Sequence, residues 1–446
     1  MNEPAGALKD PEQTGSPAPV EKGRRFFNVL VFILPTLAAL GPLIPGFGPV
    51  FGFRLVALIA MAASLAVRVK HPARDHVRGA VVLLLTATAL SSVLFLLLDQ
   101  LSAPGLRELL SVSIGLGLLV TFTRVPLVRS TLRALTGGWL VAFVVTACVA
   151  WQEITTGQRM PNYLPGRNLV DLVTETAPAS TLGNPNDYAS MLVLGAPILL
   201  AGLTAFEGRV MRLAILLALA LTPIMIFRTE SRFGLATIAL VAAIMLILHK
   251  RAGTIIAVPF ILAGLVVAFL AESTVTTLID PSVQSWSEFF IDGGSGSVRA
   301  TLVRNGFLIA ASTAFMGVGP GGFAAALTTV PGLGFTAGIE SPHSLITELI
   351  SQYGVAVLGA FIWLFVTLIR SAWIQSFWSH GWKRATFNSI IAIASLTPVW
   401  SMMTSTAVSS SIFWLALTAI VWITQPVQAR EYSDINLNAS PPAYQP

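Results

Sequence analysis

Charge is scarce in this chain. Asp, Glu, Lys and Arg make up 11% of its 446 residues, against roughly 25% in soluble domains. Apolar residues make up 54%. No soluble fold of this size could hide so much apolar surface, so the composition reads as a polytopic membrane protein. Cysteine is nearly absent. Cys148 stands alone in an apolar run, which excludes a disulfide framework and a cysteine metal site. Its plain reading is a small buried apolar residue. No group of His, Cys, Asp and Glu has metal-ligand spacing. No apolar segment carries an ionisable residue near its middle, which weighs against an ion-coupled transporter. The net charge of +6 does not point to nucleic acid, because the basic residues lie in short clusters between apolar runs.

Those runs are what the chain has in abundance. Twelve apolar segments have cores at 26–44, 55–67, 80–98, 109–122, 135–151, 188–203, 213–227, 233–248, 255–270, 353–369, 387–400 and 410–423. Several are shorter than the roughly 20 residues a span needs, so the helices should extend into their flanks. Every even-numbered linker is basic, as is the stretch before the first span. The excess of positive charge on the cytoplasmic side then puts both termini inside. The expected fold is an all-α polytopic membrane protein of about twelve transmembrane helices. A large, partly helical external loop (271–352) lies between spans nine and ten, and a smaller external loop covers 154–187. Residues 1–25 read as a disordered cytoplasmic N-terminus, 26–425 as the transmembrane domain, and 426–446 as a loose cytoplasmic tail.

This map sorts the residues that can do chemistry. All five lysines fall on the cytoplasmic side, and so do His71, His76, His249 and His380. His343 is the one histidine expected outside. Ser341 reads as an N-cap and Pro342 as the first helical residue, which places His343 in a first turn. A helix N-terminus disfavours the imidazolium, so His343 should stay neutral and able to accept a proton. Its bland alternative is a locally capping histidine.

The external cations are all arginines, whose planar fork binds phosphate oxygens bidentately. Arg232 ends the short turn from Arg228 at the outer face. Arg299 and Arg304 lie just before an apolar stretch, five residues and therefore about 140° apart on a helix. Arg299 is favoured because a flexible glycine-rich run leads into it, with Arg304 as the alternative. Snorkelling anchors or solvated charges are the plain readings of these arginines. The run GVGPGGF at 317–323 follows no strand and contains Pro320, so it is a tight turn rather than a dinucleotide fingerprint. Asp187, in GNPND, is a candidate N-cap.

Four segments resemble the bacterial O-antigen ligase/polymerase family. They are TLGNPND at 181–187, TESRFG at 229–234, Ser297 to Arg299 leading to GVGPGGF at 317–323, and PHSLITELISQYG at 342–354. Ser344 departs from the asparagine that often follows the histidine in that family. The resemblance implies transfer of a glycan from a polyprenyl diphosphate carrier at the outer face of the plasma membrane, without metal or cofactor. It implies His343 as catalytic base and Arg232 and Arg299 as diphosphate-binding residues. The expected partners are the carrier-linked glycan donor, a glycan, lipid or cell-wall acceptor, and membrane lipids. Two readings from other classes stay open: a polysaccharide or lipid exporter that makes no bond, and a structural or sensor protein whose outer loop binds a partner.

Overall fold

A computed structural model describes residues 19–43, 52–67, 76–159, 177–248 and 295–425. Among these the chain is helical and has no strand. We number the helices α1 (Pro19–Leu40), α2 (Gly52–Ala66), α3 (His76–Leu97), α4 (Ala103–Phe122), α5 (Arg129–Thr156), α6 (Pro185–Ala205), α7 (Arg209–Arg228) and α8 (Arg232–Leu248). There follow α9 (Ser295–Ser312), α10 (Phe323–Thr329), α11 (Leu345–Glu348), α12 (Val355–Phe377), α13 (Gly381–Ser395), α14 (Thr397–Trp400) and α15 (Ser411–Ile423). Each predicted segment inside the described residues falls on these helices, but that at 387–400 is divided between α13 and α14 at Leu396. The segment at 255–270, loop residues 160–176 and 271–294, and the tail from 426 lie outside them. Seven of the described helices, α1, α3 to α7 and α12, are long and apolar enough to cross a membrane. The chain is a multi-pass membrane protein.

Helix α6 is the hub, packing on α5, α7, α8, α13 and α15. Nearly all of its residues are buried. By contrast, α3 and α12 leave apolar faces bare, with Leu90, Leu96, Ile362 and Trp363 exposed as lipid-facing side chains should be. Small residues let the helices approach. A Cβ on Gly138 of α5 would lie 2.0 Å from the Phe32 carbonyl oxygen of α1, and one on Gly115 of α4 would lie 2.1 Å from the Trp414 ring. The buried indoles also find acceptors: Trp422 donates to Val125 O at 2.7 Å and Trp414 to Val408 O at 2.6 Å.

Two expectations need correction. Helix α1 reaches back to Pro19, into the stretch read as disordered. Cys148 is exposed on α5 rather than buried. A thiol on an apolar helix can face lipid as readily as protein, and composition does not distinguish the two.

The ends of the bundle differ. At one end arginines close over helix C-termini, where carbonyls lack partners. Arg129 and Arg133 each donate to Ala205 O at 2.9 Å, and Arg212 donates to Phe206 O at 2.7 Å. Arg78 donates to Thr123 O at 2.5 Å. The opposite end carries the N-termini of α4, α6, α8, α12 and α15 and everything described next.

Candidate functional site

Arg232 is placed by a three-residue turn between α7 and α8. Thr229 donates its hydroxyl to Ile226 O at 2.7 Å, and Glu230 takes a left-handed φ of 56°. The Ser231 hydroxyl accepts from Gly234 N at 3.3 Å, so Ser231 caps α8 and Arg232 becomes its first residue. Gly234 is required by space: a Cβ there would lie 2.9 Å from Ile226 Cγ2 and 3.3 Å from the Ala189 Cβ of α6.

Arg299 lies in the first turns of α9, with its guanidinium carbon 5.2 Å from the centre of the Phe233 ring. A cation over an aromatic face is attracted by the ring quadrupole. The neighbour of Arg232 thus supplies the platform for Arg299. The two cations are also close enough to repel. Burial, and after it the charge of Arg232, lower the pKa of Arg299. Arg304 is exposed, and a Cβ on Gly334 would lie 3.8 Å from it. It faces the segment beyond α10. Of the two candidates on α9, Arg299 is the one gathered with Arg232.

His343 is not in a helix. It holds a left-handed φ of 47°, and its N–H donates to Ser405 O at 3.2 Å, in the segment between α14 and α15. The helix starts two residues later, at Leu345, with the Ser344 hydroxyl accepting from Thr347 N. The expected cap at Ser341 therefore gives way to Ser344. A residue at positive φ cannot continue a helix, and its backbone donor is committed elsewhere. A non-glycine residue in this region stores of order 1–3 kcal/mol. The neutrality of the imidazole also has another origin than a helix terminus. Burial pushes its pKa down to about 4, with the charge of Arg299 as the second cause. Its Nδ1 is buried and makes no hydrogen bond among the described residues.

The glycine run explains why this corner holds together. Val318 N donates to Ser351 O at 2.8 Å and Gly319 N to Gln352 O at 3.0 Å. Those carbonyls are diverted from ordinary helical pairing, and residues Leu349–Tyr353 form a π-helical turn. Gly317, at φ 91°, presses on the same turn; a Cβ there would sit 2.5 Å from Gln352 O. Gly317→Ala should cost roughly 1–3 kcal/mol through strain and overpacking. Thermal unfolding of the detergent-solubilised protein checks this. The GNPND turn, for its part, caps α6 with Asn184, whose side chain accepts from Asn186 N at 2.8 Å; Asp187 lies in the first turn rather than at the cap.

Residues 213–362 match the family described as O-antigen ligase. The chain carries an O-antigen ligase domain. The matched part of the ligase domain begins in α7 and ends in α12, so Arg232, Arg299, Arg304 and His343 all lie inside it. No curated protein matches the chain. The domain associates the protein with glycan-transferring ligases and polymerases. Among the described residues, no group of three or more His, Cys, Asp or Glu gathers in a way that could hold a metal ion.

Sequence reasoning missed Glu348, Glu108 and the segment around Ser405. Glu348 is fully buried. One of its oxygens accepts from Ala407 N at 2.9 Å and Val408 N at 3.2 Å. Glu108, at the start of α4, accepts from the Tyr353 hydroxyl at 2.7 Å. The available signal was an acid inside the otherwise uncharged stretch LITELISQYG.

Proposed function

We propose that this chain transfers a glycan from a polyprenyl diphosphate carrier to an acceptor hydroxyl at the outer face of the plasma membrane, with inversion and without a metal ion. The supporting observation is the gathering of His343, Arg299 and Arg232 at the bundle end opposite the arginine-capped helix C-termini. If the basic end is cytoplasmic, as the positive-inside rule requires, the three face outward and both termini lie inside.

The chemistry follows from the side chains. His343 accepts the proton of the acceptor hydroxyl as that oxygen attacks the anomeric carbon. The new carbon–oxygen bond forms on the face opposite the leaving group, so configuration inverts. The bond from the anomeric carbon to the diphosphate oxygen breaks, and the electron pair leaves with the diphosphate. Arg232 and Arg299 hold that diphosphate and balance the charge developing on it. Two repelling cations are a poor arrangement by themselves and a good one around a dianion. In a polymerase the acceptor is another carrier-linked glycan; in a ligase it is a different lipid or wall component.

Proteoliposomes holding the purified protein and a polyprenyl-diphosphate glycan test this. Release of polyprenyl diphosphate should match bonds formed and persist in chelator. Glycan crossing the bilayer with no new bond would instead support an exporter. The pH profile has a defined sign. The base must be unprotonated, so activity is present above the His343 pKa and lost below it. The rate should stay level down to about pH 5 and halve near pH 4, whereas an unperturbed histidine would halve near pH 6.5.

A further inference from the structure

We propose that Glu348 is a positioning residue for His343, acting through the backbone of the 405–408 segment. This rests on the assignment of His343 as the base. The N–H of His343 donates to Ser405 O, and that bond joins the strained histidine to the loop before α15. The loop is itself fastened at Ala407 and Val408, whose N–H groups both donate to one oxygen of Glu348. Val408 is gripped a second time, since its carbonyl accepts from the Trp414 indole at 2.6 Å. Glu348 therefore closes a ring: His343 to Ser405, along the chain to Ala407 and Val408, across to Glu348, and back along α11 to His343. Glu348 lies five positions after the histidine, so a shift at one end of the ring is felt at the other.

The other oxygen of Glu348 makes no hydrogen bond among the described residues. Burial, then the neighbouring charge of Glu108, hold the Glu348 carboxyl well above the usual carboxylate range. Its protonated form is thus favoured more than in an ordinary carboxylic acid. Its oxygen, not its charge, is what the loop uses. Glutamine offers the same oxygen on the same arm. Alanine offers none and leaves two buried N–H groups without an acceptor, a cost that loop movement relieves.

The experiment pairs the two variants with two readouts. Glu348→Gln should accumulate normally and transfer glycan within a few-fold of the parent. Glu348→Ala should lower kcat by about 10²-fold with KM for the donor little changed, as for a reacting group misplaced by an ångström. The second readout needs no substrate: carbethoxylation of His343 by diethyl pyrocarbonate, followed by mass spectrometry. Labelling should be several-fold altered in Glu348→Ala and unchanged in Glu348→Gln. If the alanine variant does not accumulate, Glu348→Asp, one methylene short, carries the same labelling test. Unaltered labelling in the alanine or aspartate variant overturns the proposal. So does a glutamine variant that is absent from the membrane or as impaired as alanine. A labelling change alongside full activity of a His343 variant would instead preserve the positioning role and remove the assignment of His343 as base.

Discussion

His343→Asn should reduce glycan transfer by about 10² to 10⁴-fold, the usual contribution of a general base. Protein level and thermal stability should stay near those of the parent. Asparagine is the informative replacement because of the backbone. At a φ of 47° most side chains are strained, and asparagine is among the few that adopt this region readily. The bond from residue 343 N to Ser405 O then survives, while the imidazole is gone. His343→Ala confounds the two effects, since it removes the base and also strains the turn. Products can be examined on gels from cells in which the variant replaces the parent, with membrane levels measured alongside. Wild-type product from the asparagine variant would sink the catalytic role of His343. A general fall in protein would not be expected, because the imidazole makes no hydrogen bond through Nδ1 that folding could depend on.

The helices were legible from the sequence for a simple reason. A segment in lipid must satisfy its backbone internally, so a long apolar run has few options other than helix. Arg232 and Arg299 stood out as candidates by the same logic reversed, since cations at the borders of such runs need an explanation. The turn at His343 was not. Ser341 and Ser344 are equally good caps by residue type, and Pro342 is a good first helical residue. The choice was made by a carbonyl at Ser405, sixty-two positions further along the chain. The same long range hid Glu348, whose partners are backbone groups at 407 and 408 that carry no side-chain signature. The glycine run was readable as a turn, but not what it turns against. Its partner is the π-helical stretch Leu349–Tyr353, and the two depend on one another.

Arg299→Lys should lower transfer by about 10²-fold, comparable to loss of one preorganised donor to a developing oxyanion. Arg304→Lys should be near neutral. The two arginines share a helix, and the substitution keeps the charge in both cases. What differs is the setting. Arg299 lies 5.2 Å from the centre of the Phe233 ring and next to Arg232, in the partly buried corner with His343. There its planar fork can meet two phosphate oxygens at once, and its flat face can rest on the ring. A lysine keeps a point charge and loses both. Arg304 is exposed beside Gly334, where a lysine does as well. Arg299→Gln adds a second reading. It removes the smaller of the two causes that depress the His343 pKa and leaves burial, the larger, in place. The acid limb of the pH profile should therefore move upward from about 4 while staying below 6.5. Equal losses from Arg299→Lys and Arg304→Lys, or an unmoved acid limb in Arg299→Gln, would separate Arg299 from the imidazole and dismantle the site as built here.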